Sequence, residues 1–188
     1  VLDPWHLVAE IEAIRAQGLG VTEDGVRRVF RLPASDDPAE IGAADLVIYG
    51  VKAHQLDGAL AASGPLRREG TLALTTQNGV DAPERVAAVF GADRTCIGVA
   101  RVSAEIVAPG EIGEVVVVRG LSVGGMDGAA EGPAATPVRA ALARAGVPMP
   151  ETPDVRGDMW RKMILWNAAS AAVAARLPAS RARAAPEY

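Results

Sequence analysis

The sequence predicts an α/β protein built around a parallel sheet. Two short apolar runs, at residues 45–51 and 71–76, each end in a small polar cluster, and the segment between them can form a helix. This order of strand, helix and strand is typical of parallel sheets. Hydrophobic residues make up 49% of the chain and aromatic residues only 4%, so the core must be aliphatic. Such a composition suits an α/β protein better than a β-sandwich with aromatic anchors.

Apolar spacing and turn residues define the elements of the first part of the chain. Leu7, Ile11 and Ile14 have helical spacing, and Gly18 is a suitable C-cap for that helix. Asp24-Gly25 is typical of a hairpin turn. In order, we expect a helix at residues 6–16, a hairpin at 21–32, a short helix at 38–43, a strand at 45–51, a helix from 53 to about 62 that Gly64-Pro65 breaks, and a strand at 71–76.

The second part of the chain continues the alternation and ends in a long helix. Pro83 suits a first helical turn, and Gly91 and Gly146 can end helices. A Pro-rich connector indicates a domain boundary near residues 150–155. In order, we expect a helix at residues 83–90, a strand at 95–107 that turns at Pro109-Gly110, strands at 114–118 and 121–123, a helix at 134–145, an extended connector at 148–153, and a helix at 159–175.

Composition and charge disfavour several classes of protein. A net charge of −4 gives no electrostatic basis for binding nucleic acid. Cys96 is the single cysteine, so no internal disulfide framework can form, and together with two histidines it makes a structural zinc site improbable. No apolar run approaches the roughly 20 residues that span a bilayer, and no signal peptide is recognisable. We therefore expect a soluble cytoplasmic protein that binds neither nucleic acid nor membrane.

Polar residues follow both strands of the predicted β-α-β unit. Lys52 comes directly after the first strand, and Gln77-Asn78-Gly79 comes after the second. Ligands of parallel sheets bind beyond the carboxyl ends of the strands, so these residues are candidates for a binding site. The alternatives are an exposed lysine at a helix start, which the helix dipole disfavours, and an ordinary Asn-Gly turn.

Six short motifs, taken together and in order, resemble the ketopantoate reductase (2-dehydropantoate 2-reductase) family. The resemblance extends from residue 1 to about residue 175, and it is the order of the motifs, more than any one of them, that makes it specific. The motifs are Asp3-Pro-Trp, Ile14-Arg-Ala-Gln-Gly-Leu, Asp45-Leu-Val-x-x-x-Val-Lys-Ala-x-Gln, Gln77-Asn-Gly-Val, Ser103-Ala-x-Ile-Val-Ala-Pro-Gly and Trp160-Arg-Lys.

The resemblance implies two domains and a reaction. It implies a Rossmann-like dinucleotide-binding domain at residues 1–152, followed by the start of an all-α domain at residues 153–188. Against that plan the chain looks incomplete at both ends, because the first strand and the Gly-rich phosphate loop would precede residue 1, and most of the helical domain would follow Trp166. Gly18-Leu19-Gly20 follows a helix and does not replace that loop. The family activity is reduction of a small 2-oxo acid, 2-dehydropantoate to pantoate, in pantothenate biosynthesis. The alternatives are that the chain is a truncated non-catalytic remnant, or that it is part of a longer gene product.

Asp3 bears on the choice between NAD and NADP. The resemblance implies that Asp3 lies at the end of the second Rossmann strand. An acidic residue there binds the ribose hydroxyls and repels the extra phosphate of NADP, so Asp3 favours NAD. Asp3 is equally well explained as a turn residue or a helix N-cap. By the same resemblance Lys52, Gln55, Asn78 and Gly79 are expected to lie near the cofactor.

Lys162 is the candidate general acid. Hydride transfer to a ketone generates an alkoxide, which a cation can stabilise and protonate. An apolar cleft would lower the pKa of this lysine, and apolar residues on the same helix could form the cleft. The alternative is a lysine on the solvated face of an amphipathic helix. The apolar neighbours are Trp160, Met163, Ile164 and Trp166.

The sequence departs from the family pattern just after this lysine. The family has Asn four and eight residues after the lysine, where this chain has Trp166 and Ser170. Asn167 is one residue late, which rotates it by roughly 140° from Lys162 around a regular helix. Either a local bulge restores the register, or the substrate contacts differ. Asn167 and Ser170 are therefore expected to bind the keto-acid substrate, with Ser170 as a hydroxyl donor. A homodimer is left open.

Overall fold

The computed structural model describes residues 4–174. Within this range the chain forms two four-stranded sheets, with helices that connect and cover their strands. The helices are α1 (Pro4–Gln17), α2 (Pro38–Ile41), α3 (Leu56–Ala62), α4 (Ala82–Phe90), α5 (Ala135–Arg144) and α6 (Val155–Ala174). The strands are β1 (Leu19–Glu23), β2 (Val26–Phe30), β3 (Leu46–Tyr49), β4 (Leu72–Thr75), β5 (Thr95–Ser103), β6 (Ile106–Ala108), β7 (Glu111–Glu114) and β8 (Val116–Gly125).

The main sheet has the strand order β3-β4-β5-β8 and confirms the α/β class. β3, β4 and β5 are parallel, with Val47 opposite Ala73 and Leu74 opposite Cys96. A 3-10 turn at Ala53–Gln55, then α3, and then a second 3-10 turn at Gly64–Leu66 connect β3 to β4, so the predicted β-α-β unit is present. β8 pairs with β5 in the antiparallel direction and makes this a mixed sheet.

The second sheet has the order β2-β1-β7-β6 and was not predicted as a separate layer. Its hairpin turns where the sequence indicates, since Asp24 and Gly25 both have positive φ, at 50° and 72°. Such a turn matches the twist of the flanking strands. β1 also pairs in parallel with β7, so this sheet joins distant parts of the chain.

The predicted strand boundaries between residues 95 and 125 were wrong. The expected strand at 95–107 is divided, because β5 ends at Ser103 and β6 pairs in the second sheet. Most residues of the two expected strands at 114–118 and 121–123 instead belong to one strand, β8, whereas Glu114 ends β7. Gly120 has φ of 80° at a register shift against β5, so this glycine marks a bulge and not a break.

Helices cover both faces of the main sheet. α3 and α4 bury Leu56 and Val86 against one face, where Tyr49 and Phe90 meet edge to face with ring centroids 6.0 Å apart. α5 buries Val138 against the opposite face. The first turns of α6 pack on β5 and β8 through Val155, Met159, Ile97 and Val99. The core is aliphatic, as the composition predicts, and α6 lies against the strands that carry the site.

α6 begins close to the expected domain boundary, but the division into residues 1–152 and 153–188 stays a prediction. Its first two turns pack on the main sheet. No helix in residues 4–174 is both long and apolar enough to cross a membrane. In the same range no three His, Cys, Asp or Glu side chains are grouped so that they could hold a metal ion.

Gly98 provides a test of the strand packing beside the site. A Cβ at this position in β5 would lie 2.5 Å from the Thr75 carbonyl oxygen and 3.0 Å from Leu74 Cδ1. We expect Gly98→Ala to lower the free energy of unfolding by about 1–3 kcal/mol, because the backbone of β4 cannot move away freely. Thermal unfolding measures this change. Gly58→Ala is the control. A Cβ at this position in α3 would meet no other atom within 4 Å, so we expect a stability equal to or slightly above that of the native protein. A native melting temperature for Gly98→Ala would contradict the close approach.

Candidate functional site

A small cleft of about 10 Å³ lies between the carboxyl end of β4 and α6. It is at the edge of the sheet where parallel α/β folds bind ligands. Three segments contribute to it: the residues that follow β4, the middle of β5, and two turns of α6. The lining residues are Gln77, Asn78, Gly79, Gly98, Val99, Met159, Lys162, Met163 and Trp166.

Gln77 fixes the end of β4 to the end of β3. Its Nε2 donates hydrogen bonds to the carbonyl oxygens of Tyr49, at 2.8 Å, and Val51, at 3.2 Å. Its Oε1 is buried and has no hydrogen-bond partner within residues 4–174. Gly79 follows with φ of 121°, and Asn78 between them is exposed at the cleft. The turn that presents the Asn78 amide is therefore held by the side chain before it.

Lys162 lies in the cleft and is only partly exposed. Its Nζ donates a hydrogen bond of 2.5 Å to the carbonyl oxygen of Ala100 on β5. Burial lowers the pKa of the Lys162 ammonium, and repulsion from the Arg101 guanidinium lowers that pKa further. Of the four apolar neighbours expected from the sequence, Met163 and Trp166 line the cleft. The other two, Trp160 and Ile164, are 51% and 64% exposed and do not line it.

A buried ion pair lies one helical turn before Lys162, and sequence reasoning missed it. The Asp158 side chain is 6% exposed and accepts two hydrogen bonds from the Arg101 guanidinium, at 2.7 and 2.9 Å. The Ser122 hydroxyl donates a third, at 3.0 Å. Because Ser122 and Arg101 belong to β8 and β5, this cluster fastens α6 to two strands of the main sheet. The only sequence signal was the spacing of Asp158, four residues before Lys162.

The same contacts control the charge of Asp158. Hydrogen bonds from Arg101 hold the pKa of the Asp158 carboxyl below its usual value, although burial acts in the opposite direction. The Ser122 hydroxyl lowers this pKa further, as do the positive charges of Arg101 and of Arg161. Asp158 is therefore ionised near neutral pH and matched by the guanidinium that it contacts.

Lys52 and Gln55 lie next to the end of β3 and do not line the cleft. Gln55 Oε1 accepts a hydrogen bond of 3.1 Å from the Lys52 backbone N–H, and the Gln55 N–H donates to the Lys52 carbonyl at 2.9 Å. This reciprocal pair explains Gln55 as a cap at the start of the 3-10 turn. The Lys52 side chain is exposed. Cofactor contacts of these two residues stay a prediction.

The helix after Lys162 is regular, so the bulge that could have restored the family register is absent from it. α6 is continuously α-helical from Val155 to Ala174. Trp166 therefore lines the cleft one turn after Lys162. Asn167 and Ser170 are exposed and do not line the cleft. Asp3 lies outside the described residues.

Comparison with known proteins agrees with the motifs. Residues 5–122 match the model of the family described as ketopantoate reductase PanE/ApbA. The 2-dehydropantoate 2-reductase of Mesorhizobium japonicum is 31% identical over 179 residues, which cover 85% of this chain and 54% of that protein. The enzyme of the same name from Halobacterium salinarum is 29% identical over 175 residues, covering 90% of this chain and 55% of that protein.

A solved structure shares the fold over almost the whole chain. The 2-dehydropantoate 2-reductase of Porphyromonas gingivalis W83 superposes with a TM-score of 0.82 at 26% identity, covering 95% of this chain and 63% of that one. The present chain spans about half the length of the curated relatives that it matches. The family model covers more than half of the chain, in the region that contains the strand-end motifs. The chain therefore belongs to the ketopantoate reductase PanE/ApbA family.

Proposed function

We propose that this chain contributes the cofactor-facing part and the proton donor of a nicotinamide-dependent reductase of a small 2-oxo acid. The first candidate reaction is 2-dehydropantoate to pantoate, as in the pantothenate pathway that the family name indicates. One observation carries the proposal: a lysine with a lowered pKa lines the same strand-end cleft as the exposed Asn78 amide. In the parallel α/β architecture this edge of the sheet is the usual ligand site.

The residues around the cleft fit a nicotinamide group chemically. Asn78 offers both a donor and an acceptor, and the unpartnered Oε1 of Gln77 is a further buried acceptor beside it. A nicotinamide carboxamide carries donor and acceptor groups of the matching kinds. When bound, the reduced cofactor supplies the hydride. In this proposal Asn78 and Gly79 hold the nicotinamide side, and Lys52 and Gln55 lie toward the rest of the dinucleotide.

Lys162 acts on the oxygen of the substrate. As the carbonyl carbon is reduced, negative charge develops on its oxygen, and the nearby ammonium stabilises that charge. Lys162 then donates a proton to the oxygen, giving the hydroxy acid and a neutral amine that solvent reprotonates. Burial favours this step because it disfavours the charged form of the lysine. The Ala100 carbonyl keeps the ammonium at the cleft between turnovers.

The substrate contacts differ from the family pattern in this proposal. Trp166 occupies the wall where the pattern has an amide, so that part of the cleft is apolar. Asn167 and Ser170 bind the substrate only if it extends around α6 to their exposed positions. The substrate class therefore includes small 2-oxo acids other than 2-dehydropantoate. We also propose NAD as the cofactor, because Asp3 is acidic, and a homodimer as one assembly for testing.

The second candidate is a non-catalytic remnant that binds a ligand without turnover. It is favoured by the cleft wall, where Trp166 replaces the amide of the family pattern and neither Asn167 nor Ser170 contributes. The chemistry of Lys162 is the reason to prefer the enzyme.

Turnover of ketopantoate by the full-length protein tests the proposal. We expect loss of the absorbance of the reduced cofactor, faster with NADH than with NADPH. Cofactor binding is followed in parallel by fluorescence of the reduced nicotinamide. A clear NADPH preference would contradict the role of Asp3 and leave the reductase intact. Binding of neither cofactor would reject the enzyme in favour of the remnant.

A further inference from the structure

Lys162 has no carboxylate contact among the described residues, although a carboxylate stands at the favourable helical spacing. An acidic residue four positions before a lysine on a helix ordinarily forms an ion pair with it. Asp158 is at that position, one turn before Lys162. Its two oxygens are instead occupied by Arg101 and Ser122. The Lys162 ammonium contacts a backbone carbonyl, which carries no formal charge.

Adjacent residues of β5 make these two contacts. Ala100 accepts the hydrogen bond from Lys162, and Arg101 forms the bidentate pair with Asp158. One turn of α6, from Asp158 to Lys162, therefore makes polar contacts with two consecutive residues of β5. A guanidinium binds a carboxylate in a fixed planar geometry, which sets both the position and the rotation of the helix.

We propose that Arg101 is a positioning residue for Lys162: it holds the Asp158 carboxylate away from the Lys162 ammonium and keeps that ammonium on the Ala100 carbonyl at the cleft. Its importance for catalysis rests on the proposed reductase function, whereas the arrangement itself does not. A second consequence is that Arg101 adds a positive charge near Lys162, which agrees with the lowered pKa of the lysine.

Among the described residues, the charged groups on the elements next to Lys162 belong to β5 and to α6 itself. β5 contributes Arg101, and α6 itself contributes Asp158 and Arg161, whose guanidinium lies 3.5 Å from the Asp158 carboxylate. β8 and the segment after β4 contribute neutral groups, from Ser122 and from Gln77-Asn78-Gly79. Removing Arg101 therefore frees Asp158, the carboxylate one helical turn before Lys162.

Titration of Lys162 by NMR tests the proposal directly. The sequence has lysine at positions 52 and 162 only, so isotope-labelled lysine side chains give one signal for the cleft and one exposed reference. In the full chain we expect Arg101→Met to raise the pKa of Lys162 by about one pH unit, because Asp158 becomes its partner and the repulsion is lost. The double variant Arg101→Met/Asp158→Asn should give a smaller rise, because only the repulsion is lost.

Arg156→Met is the matched control. Arg156 also anchors the start of α6, donating to the Met126 carbonyl at 2.9 and 3.1 Å and pairing with Glu84 at 2.7 Å. It does not touch Asp158 in the described contacts, so its loss should leave the pKa of Lys162 unchanged. An unchanged pKa in Arg101→Met, or equal rises in Arg101→Met and Arg156→Met, would overturn the proposal. If Arg101→Met does not fold, Arg101→Gln takes its place, because it also removes the guanidinium and leaves a neutral polar side chain beside Asp158. An unchanged pKa of Lys162 in Arg101→Gln overturns the proposal.

The titration needs neither cofactor nor substrate, so it separates this proposal from the reductase function. A raised pKa together with absent turnover would reject the function and keep the positioning role. Normal turnover with an unchanged pKa would reject the positioning role alone. In an active protein, the alkaline limit of the kcat profile should move to higher pH in Arg101→Met, because Lys162 then keeps its proton longer.

Discussion

Lys162→Met is expected to lower kcat for 2-oxo acid reduction by about 10²–10⁴-fold while cofactor affinity stays close to native. Methionine is similar in length and apolar, so it can fill the place of the lysine stem beside Met159 and Met163. What it lacks is the ammonium that, in the proposed mechanism, stabilises and protonates the developing alkoxide. Steady-state kinetics of the full-length protein give kcat, and fluorescence of the reduced nicotinamide gives affinity.

Lys52→Met is the companion variant, because the lysine that it removes is exposed and outside the cleft lining. We expect it to raise KM for the cofactor without a large change in kcat. The same substitution should therefore lower kcat at position 162 and raise KM for the cofactor at position 52. Weakened cofactor binding with native kcat in Lys162→Met would show that Lys162 is a binding residue and not the acid.

Asp158→Ala is expected to lower the free energy of unfolding by about 3–5 kcal/mol. The substitution leaves the Arg101 guanidinium, whose side chain is only 19% exposed, without its carboxylate. It also removes the acceptor of the Ser122 hydroxyl. Urea unfolding followed by tryptophan fluorescence measures the loss, since Trp160 and Trp166 lie on the same helix. The double variant Arg101→Met/Asp158→Ala should lose less unfolding free energy than Asp158→Ala, because it leaves no unpaired charge at this position.

Asp57→Ala is the exposed counterpart. The Asp57 side chain is 81% exposed in its pair with Arg85, so its loss should change stability by less than about 1 kcal/mol. Equal losses for Asp57→Ala and Asp158→Ala would mean that the Arg101–Asp158 pair is hydrated in solution.

The effect of Asp158 also has a defined pH dependence. Its pKa in the folded protein is below the value of 3.8 that applies to an unperturbed carboxyl. The stabilisation is therefore fully present above that value and is lost as the pH falls through the folded pKa. The stability difference between native protein and Asp158→Ala should shrink in acid, and a difference that is constant down to strongly acidic pH would contradict the ion pair.

Local signals predicted most of the fold. The hairpin depends on Asp24-Gly25, and the β-α-β unit depends on two apolar runs with a helix-length gap, so each is encoded within a short segment. The assignment of residues 95–125 to two sheets could not be predicted in the same way. β-propensity indicates that a segment is extended, but the partner strand decides which sheet it joins. The division at Ser103 and the bulge at Gly120 depend on such partners.

Only part of the candidate site could be predicted from the sequence, because local signals do not reveal contacts between distant residues. The strand-end rule pointed to Gln77-Asn78-Gly79, and the family motif pointed to Lys162; both line the cleft. The Arg101–Asp158–Ser122 cluster joins residues 57 and 36 positions apart, and no short motif contains it. Long-range polar contacts of this kind follow from the packing of α6 and have no signature in local spacing.

The parallel pairing of β1 with β7 has a consequence for the order of folding. Gly20 is opposite Glu111, so the second sheet joins two segments that the main-sheet strands β3, β4 and β5 separate in the sequence. Contacts between neighbouring segments form faster than contacts between distant ones, because less chain entropy is lost in closing the loop. The β3-α3-β4 unit and the β1–β2 hairpin can therefore form early, while the pairing of that hairpin with β7 closes a much longer loop and forms later. The strand-end edge that presents Asn78 is then assembled before the N-terminal hairpin is incorporated into its sheet.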